Sequence, residues 1–366
     1  MKRGILICFL MGIMFAHTSF AQKNKPLKVG IIGLTHTHVH WLLGRPKADD
    51  IQIVGIVEPN KNLAQRYADQ HGYSMDLVYD TMEEMIEATQ PEAVTAFGTI
   101  YEHLAVVETC APKGIHVMVE KPLAVSMAHA KKMEALAKKH NIQLLTNYET
   151  TWYATNHKAY NMVNQGQVGD LRKIVIHDGH KGPIELGINS EFIDWLTDPV
   201  QNGGGAVVDF GCYGANLITW MTNGQKPDQV MAVTQTIKPD VYTKVDDEAT
   251  IILKYPKMQG IIQASWNWPI ARKDMEVYGQ TGYIYADNRN DLRYRLSEAQ
   301  EEQKENLEER KYPYNDPFAL LAAVVKGKVT LPPYALSSLE NNMIVVEILD
   351  AARESAKTGR TIDLNP

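Results

Sequence analysis

Cysteine is scarce in this chain, with three in 366 residues, at positions 8, 110 and 212. So few thiols in so long a chain do not make a disulfide framework, and none sits at metal-ligand spacing. Cys110 and Cys212 read as small buried hydrophobes. A basic cluster is also missing beyond the first residues, and the formal charge is −6, so nucleic acid is not an expected partner. Internal repeats and low-complexity linkers are absent, and so is any apolar run long enough to span a bilayer. The run from Ile5 to Ala16 follows Lys2-Arg3 and leads to Ser19-Phe20-Ala21. Those are the n-region, h-region and A-x-A-like cleavage site of a secretory leader. We therefore expect residues 1–21 to be a signal peptide, with export to a bacterial periplasm and no stable membrane anchor.

What is present is ordinary for a globular protein, 45% apolar and 22% charged residues, and enough chain for two domains. Strand-like runs at Leu27–Ile32, Ile51–Val57, Ala93–Phe97, Ile115–Val119 and Gln143–Thr146 alternate with helical patterns. The helical patterns lie around Trp41–Leu43, Leu63–His71, Met82–Ala88, Glu102–Ala111 and Ser126–His140. That alternation predicts an α/β fold, a parallel, doubly wound Rossmann sheet over residues 22–146. The rhythm then changes. Helices around His157–Gln165 and Asp209–Thr222 accompany strands in close succession, at Leu171–His177, Val230–Thr236, Glu248–Tyr255, Gly260–Trp266, Glu276–Tyr278 and Tyr283–Ala286. Short turns between strands predict an α+β second domain over 147–366 with a largely antiparallel open sheet. The acidic stretch Glu298–Glu309 reads as a solvated helix face. Helices at Pro317–Lys326 and Leu336–Thr358 close the chain, the last able to pack back on the first domain.

A dinucleotide fingerprint after the first strand would place glycines at 33, 35 and 38. The chain reads Gly33-Leu34-Thr35-His36-Thr37-His38, with the first glycine alone. The strand–turn–helix setting is kept, and a helix N-terminus attracts anions through its free N–H groups. Thr35 and Thr37 offer hydroxyls to a phosphate. Glu58 follows Gly33 by 25 residues at a strand end, near where a carboxylate grips ribose hydroxyls. That favours NAD over NADP, whose 2′-phosphate it repels. His36, His38 and His40 invite a metal reading. A strand would align all three, but a helix divides them and leaves only His36 with His40 at i, i+4. With no obvious carboxylate companion, we assign no metal.

The run Ile115–Val119 ends in Glu120-Lys121-Pro122. Ligands of open α/β sheets bind outside the carboxyl ends of the strands, and Pro122 pushes Lys121 into extended geometry. Alone, this tripeptide is either a held functional ammonium or a solvated turn. A second stretch, Gly203-Gly-Gly-Ala-Val-Val-Asp209-Phe-Gly-Cys-Tyr213, opens a helix in the second domain. Taken together, the two make the chain resemble the Gfo/Idh/MocA oxidoreductase family. His103 before Gly114, Gly166-Gln-Val-Gly-Asp-Leu171 and Val245-Asp-Asp247 carry the likeness over nearly the full mature length. The resemblance implies a nicotinamide cofactor in the first domain and a sugar or other polyol in the second. It implies Lys121, Asp209 and Tyr213 around the reacting carbon. The expected cofactor contacts are Gly33, Thr35, His36, Thr37, His38, Glu58, His103, Glu120 and Asn147. Tyrosine at 213, where many members carry histidine, is similar to the glucose-fructose oxidoreductase branch, which is exported and keeps its cofactor bound. A phenol titrates too high unaided; we expect the Lys121 ammonium to lower its pKa, with Asp209 holding Lys121 charged.

Position suggests Tyr148, Trp152 and His180 on the substrate side, aromatics suiting the apolar faces of sugars. For Tyr153, His157, Lys181, Trp195, Trp266 and Trp268, packing is the better explanation. The function expected is an exported oxidoreductase moving hydride between tightly held NAD(H) and a carbohydrate. Outside the cytoplasm the cofactor must be regenerated within the cycle, either by oxidising one sugar while reducing another or by oxidation, elimination and reduction that cleave a glycosidic bond. The rival of another class is a non-catalytic carbohydrate-binding protein with a degenerate nucleotide site. Pairing through the open sheet, as homodimer or homotetramer, is what the family implies.

Overall fold

The computed structural model describes residues 25–46 and 48–364, so the expected signal peptide lies outside the described residues. The first sheet has strands β1 (Leu27–Ile32), β2 (Ile51–Val57), β3 (Val78–Tyr79), β4 (Ala93–Ala96), β5 (His116–Glu120) and β6 (Leu144–Asn147). All pair in parallel, in the order β3-β2-β1-β4-β5-β6. Near-continuous apolar strands such as β4 suit a sheet covered on both faces. The crossovers are helices α1 (Val39–Leu43), α2 (Lys61–His71), α3 (Met82–Thr89), α4 (His103–Cys110) and α5 (Met127–His140). Their ends follow local chemistry. The Asn60 side chain caps α2 by accepting the Leu63 N–H, and Thr81 with Glu84 forms a capping box on α3.

The chain goes on through α6 (Ala154–Asn164), β7 (Leu171–Gly179), α7 (Ser190–Leu196), α8 (Ala206–Asp209) and α9 (Gly211–Met221). Strands β8 (Gln229–Gln235), β9 (Glu248–Lys254), β10 (Gln259–Ser265), β11 (Arg272–Gly279), β12 (Tyr283–Ala286), β13 (Asp291–Arg295) and β14 (Gln303–Asn306) follow. After α10 (Pro317–Val325) and α11 (Leu339–Thr358), β15 (Ile362–Asp363) ends the described chain. The second sheet runs β14-β13-β12-β11-β7-β10-β9-β8-β15. Every pairing is antiparallel except β7 with β10. Along β8, Val230 and Ala232 are buried while Met231 and Val233 are exposed, the period-2 alternation of a sheet with one covered face. No described helix is long and apolar enough to cross a membrane.

Three expectations need correction. Glu298–Glu309 is no helix: it contains β14, the outermost strand, hydrogen-bonded to β13. Charge there suits an edge that must not recruit another strand. Second, the boundary at 146/147 misplaces α10. Its Leu320 and Leu321 cluster with Leu27, Val29, Ala93, Met118 and Leu145 of the first sheet, so this apolar helix completes the first domain. The last helix, α11, bridges: Val346 joins the core of the first domain, Asp350 accepts the Met127 N–H at 2.8 Å, and Ile344, Val345 and Ile348 pack on the second. Third, α7 escaped the sequence reading, because a seven-residue helix shows too few turns for its period to register.

Candidate active site

Strand order reverses between β1 and β4, and their carboxyl ends frame the crevice where a doubly wound sheet binds ligands. Gly33 turns there with φ +77°, and a Cβ on it would come within 2.8 Å of the Gly98 nitrogen, so the first glycine of the fingerprint is sterically required. Hydrogen bonds close the rest of the turn. The Leu34 N–H donates to Glu58 at 3.0 Å, the Asn60 N–H to the other Glu58 oxygen at 2.9 Å, and the His36 N–H to the Phe97 carbonyl at 2.8 Å. The Thr35 hydroxyl reaches the same carbonyl at 3.4 Å, and the Thr37 carbonyl accepts the His40 N–H at 3.2 Å.

The histidines do not pair as spacing suggested. His40 Nδ1 lies 2.8 Å from His71 Nε2, leaving His36 without it. A carboxylate companion does exist, 82 residues further on: His38 Nδ1 is 2.9 Å and His36 Nε2 3.9 Å from one oxygen of Glu120. Linear spacing hid it, since β5 brings Glu120 across from another strand. All three could reach one ion, yet the hydrogen bonds favour a different account. The His38 N–H donates to His36 Nδ1 at 3.1 Å, so the neutral His36 ring carries its proton on Nε2, facing Glu120. His38 thus donates to this carboxylate, and the His36 N–H faces it from 3.9 Å. Burial alone would raise the Glu120 carboxyl, but the electrostatic influence of the His38 and His36 rings and the hydrogen bonds from His38 and Asn147 outweigh it and hold it down at about 2. Asn147 donates to the other Glu120 oxygen at 2.7 Å, and is itself held by the Trp152 indole N–H at 3.3 Å.

Buried nitrogens without a partner among the described residues include His36 Nε2 and His103 Nε2. His103 Nδ1 faces the Leu123 carbonyl at 3.1 Å, which leaves Nε2 as an acceptor, and burial lowers this imidazole to about 4. One free donor and one free acceptor near Glu120, with a buried carboxylate at the end of β2, fit a dinucleotide that presents an amide at one end and ribose hydroxyls at the other. Phe192 and Trp195 of α7 cover His36, their ring centroids 4.8 and 5.8 Å from it.

Lys121 stands at the carboxyl end of β5, 5% exposed. Its ammonium is paired with the Asp209 carboxylate and donates to the Asp209 carbonyl at 3.1 Å. The Trp266 indole N–H holds the second Asp209 oxygen at 3.0 Å. Asp209 is delivered by α8, whose start is clamped to Asp246. That carboxylate accepts the Gly205 and Val207 N–H groups at 2.9 and 2.7 Å, and the Asp246 carbonyl accepts the Ala206 N–H at 3.0 Å. A Cβ on Gly205 would lie 1.8 Å from that carbonyl oxygen, so no other residue fits. Burial would discharge Lys121, but Asp209 outweighs it, and the pair stays ionised with Lys121 above and Asp209 below their ordinary values.

Tyr213 is next to this pair, but not as expected. The Lys121 ammonium lies 5.3 Å from its ring centroid, and Lys273 lies 4.6 Å from it. Burial, then the Glu149 carboxylate and the other acidic groups around it, push the phenol well up, not down. Tyr213 is therefore a proton-bearing hydroxyl at rest.

Beside it opens a cavity of about 640 Å³, walled by Glu149, Tyr153, Asp178, His180 and Lys273 among others. Of the substrate-side expectations, His180 lines it, with its ring edge on Phe210 at 4.8 Å. Tyr148 is fully buried, edge-on to Tyr213 at 5.4 Å. Trp152 is misassigned. It packs into the apolar cluster under α10, because the 3₁₀ turn Glu149–Trp152 swings it away. Sequence reasoning missed Glu149, Asp178 and Lys273. Lys273 donates to Glu149 at 2.5 Å and lies 4.0 Å from Asp178. No motif marks them; an acidic residue following the apolar run Ile174–Ile176 of β7 is the only signal.

The family described as "Oxidoreductase family, NAD-binding Rossmann fold" (GFO/IDH/MocA) matches residues 27–148. Its companion, "GFO/IDH/MocA C-terminal domain", matches residues 156–285. The chain is similar to the trans-1,2-dihydrobenzene-1,2-diol dehydrogenase of Bos taurus, 29% identical over 234 residues, 63% of this chain and 65% of that one. The Oryctolagus cuniculus enzyme of that name is 30% identical over 224 residues, 61% of this chain and 62% of its own. The chain thus spans just under two thirds of the length of these curated relatives. Two solved structures share the fold. An aldose-aldose oxidoreductase from Caulobacter crescentus, complexed with glycerol, has a TM-score of 0.77 at 21% identity, covering 93% of this chain and 100% of its own. An inositol dehydrogenase homolog from Azotobacter vinelandii, complexed with NAD+, has 0.77 at 18%, covering 93% and 97%.

Proposed function

This chain belongs to the GFO/IDH/MocA oxidoreductase family, and on that premise we propose that it moves hydride between NAD(H) and a carbinol carbon of a sugar or related polyol. The observation that carries the reading is the Lys121 ammonium, buried at the carboxyl end of β5 and pinned by Asp209 of the second domain. Gly33, Glu58, His36, His103, Glu120 and Asn147 are the residues to hold the cofactor. Held there, NAD+ would supply an acceptor for the hydride of the carbinol carbon, and NADH a donor in the reverse direction. The chain's own part is the proton. In its resting charge state Lys121 is a donor and Tyr213 a neutral phenol. Together they polarise and protonate a carbonyl oxygen. The opposite direction requires one of them to give up a proton first. Oxidation therefore speeds up as pH rises towards the lysine range, while reduction keeps its rate on the acid side.

The test is to purify the protein without added nucleotide, denature it and weigh the released small molecules, then assay NAD+ reduction on a panel of polyols. We expect NAD(H) in the supernatant and loss of turnover by at least about 1,000-fold in Lys121→Ala. A protein that is empty and also fails to bind added NAD would instead be a carbohydrate-binding protein. Near-normal rates in the variant would remove Lys121 from the chemistry.

Two further parts of the reading rest on less. Lys2-Arg3, the apolar run to Ala16 and Ser19-Phe20-Ala21 support export, which immunoblotting of fractionated cells tests. Exposed Met231, Val233 and Ile252 on the open face of the second sheet support pairing of two copies there, which sedimentation tests.

A further inference from the structure

We propose that Arg353 of α11 is a positioning residue for the hydride transfer, a staple between the main chain just after Lys121 and the main chain just before Asp209 that sets how the two side chains meet. The inference rests on the oxidoreductase reading above and adds a residue that acts on the pair through the segments carrying it.

Arg353 projects from the helix that bridges the two domains. Its guanidinium donates to the Gly203 carbonyl and, from Nη2, to the Val125 carbonyl at 2.8 Å. Val125 follows Lys121 by four residues, and Gly203 precedes Asp209 by six. One group thus joins the loop of the first domain that carries Lys121 to the turn of the second that carries Asp209. A guanidinium suits the task, because its donors lie fixed in one plane and serve two acceptors at once. Asp350, three residues earlier on α11, orients it: its carboxylate accepts from Arg353 and takes the Met127 N–H at 2.8 Å. Bonds to charged groups are the strong ones. A single turn of α11 therefore holds main-chain groups of both domains.

Gly203 records the same closeness independently. Its φ is +87°, and a Cβ on it would lie 3.0 Å from Arg353 Nη1 and 3.2 Å from the Val125 carbonyl oxygen. A side chain there would wedge the staple apart. The two segments it joins are short and held elsewhere. Gly205 rests against the Asp246 carbonyl. Leu123 is fully buried in the first core, with His103 on its carbonyl at 3.1 Å. A displacement at Val125 or Gly203 is therefore passed on to Lys121 or Asp209, and a shift of about 1 Å in a reacting group is felt strongly in rate. Asp209, Cys212 and Lys273 act most on the charge of Lys121, and His36, Asp178 and His180 also feel it. Asp209 is the strongest of those that favour the ammonium, so loosening its hold lets Lys121 release a proton more readily.

The experiment compares the wild type with Arg353→Met, which keeps the apolar stem and removes the donors, and Arg353→Lys, which keeps an ammonium. One measurement is polyol oxidation with NAD+ across pH. The other, independent of turnover, is the pH dependence of Lys121 acetylation by trace acetic anhydride, read by mass spectrometry. In Arg353→Met we expect kcat to fall about 10- to 100-fold while both KM values stay within about threefold. The rise of oxidation rate and the acetylation midpoint should move together to lower pH, by about half a unit or more. Arg353→Lys should recover part of each change. A lower rate with neither pH curve moved would show that Arg353 only stabilises the fold, and overturns the proposal; so would raised KM at unchanged kcat, or wild-type values throughout. Should Arg353→Met fail to fold, Arg353→Lys alone must shift the acetylation midpoint, and a midpoint at the wild-type value overturns the proposal. A wild type that oxidises no polyol, with the acetylation midpoint still shifted in the variants, leaves the staple in place but removes the oxidoreductase reading, and the role in hydride transfer with it.

Discussion

The turn at Gly33–His38 and the turn at Gly203–Asp209 flank the pair of Lys121 and Asp209, but side chains stand in for glycine in the first, while a main-chain contact keeps glycine in the second. In the first, glycine is needed once, at Gly33, where a Cβ would crowd the Gly98 nitrogen. Beyond it, Glu58 takes the Leu34 N–H, and His38 and Glu120 lock the turn to β5. In the second, Gly205 is pressed so close to the Asp246 carbonyl that a Cβ would stand 1.8 Å away. A glycine-rich pattern is thus a record of close approach, position by position. Where the neighbour is a carboxylate that needs donors, imidazoles can replace the glycines; where the neighbour is a main-chain carbonyl, nothing can.

The contrast breaks most visibly at Gly205. We expect Gly205→Ala to cost at least about 3 kcal/mol, since the main chain of Asp246 must move and the start of α8 with it. Asp209 would then lose its hold on Lys121. Urea unfolding at pH 7 measures this, and a cost below about 1 kcal/mol would mean the second turn is as adaptable as the first.

The two turns should also respond to pH with opposite sign. His103 titrates at about 4 in the folded protein, below its ordinary 6.5, so the unfolded chain takes up the proton first as pH falls. Its contribution is intact above pH 6.5 and is lost between 6.5 and 4, by about 3 kcal/mol. Glu120, at about 2, adds to the loss from its ordinary value of about 4.5 downwards. Asp246 runs the other way. Burial raises it to about 6 against the bonds it accepts, so its folded state is favoured by acid and weakened as pH rises from about 4 to 6. Thermal melts of the wild type and His103→Gln at pH 7 and 4.5 should show the acid loss shrinking in the variant. An equal loss in both would show that His103 is not the group being titrated.

His38 gives the next, smaller effect. Removing its hydrogen bond to a fully buried carboxylate in His38→Ala should cost about 2 kcal/mol at pH 7, less than at Gly205 because Asn147 and His36 still face Glu120. NAD content after purification should fall alongside. Stability and NAD content both unchanged would mean that the imidazole contributes nothing to closing the turn.

How much of this was legible in the sequence depends on the range over which each signal acts. The Rossmann rhythm is local, and every strand of the first sheet except the two-residue β3 appeared in the apolar pattern near its observed place. Glu120-Lys121-Pro122 and Gly203 to Tyr213 are contiguous, and the family resemblance they carry implied Lys121 beside Asp209. What failed was non-local. Glu120 as the companion of His38, α10 as a layer of the first domain, and Asp178 with Lys273 beside Tyr213 all join residues that only the folded chain makes neighbours. The direction of the Tyr213 shift failed for a related reason. Lys121 was correctly placed nearby, but it faces the ring instead of the oxygen, and burial among acids then decides the sign.

The smallest effect probes the first turn from the other side, by restoring a glycine the fingerprint would have. Among the residues of this turn only Gly33 has a left-handed backbone, so Thr35 occupies its position without strain. Its hydroxyl makes one long bond, 3.4 Å to the Phe97 carbonyl. Thr35→Gly should therefore gain no relief of strain and lose only the entropy of a freer unfolded chain, about 0.5–1 kcal/mol. If the side chains at 36, 38, 58 and 120 are what shape the crevice, NAD affinity measured by calorimetry should stay within about threefold of the wild type. A tenfold gain would mean that Thr35 obstructs the close approach that glycine allows, and that the first turn, like the second, is governed by its main chain.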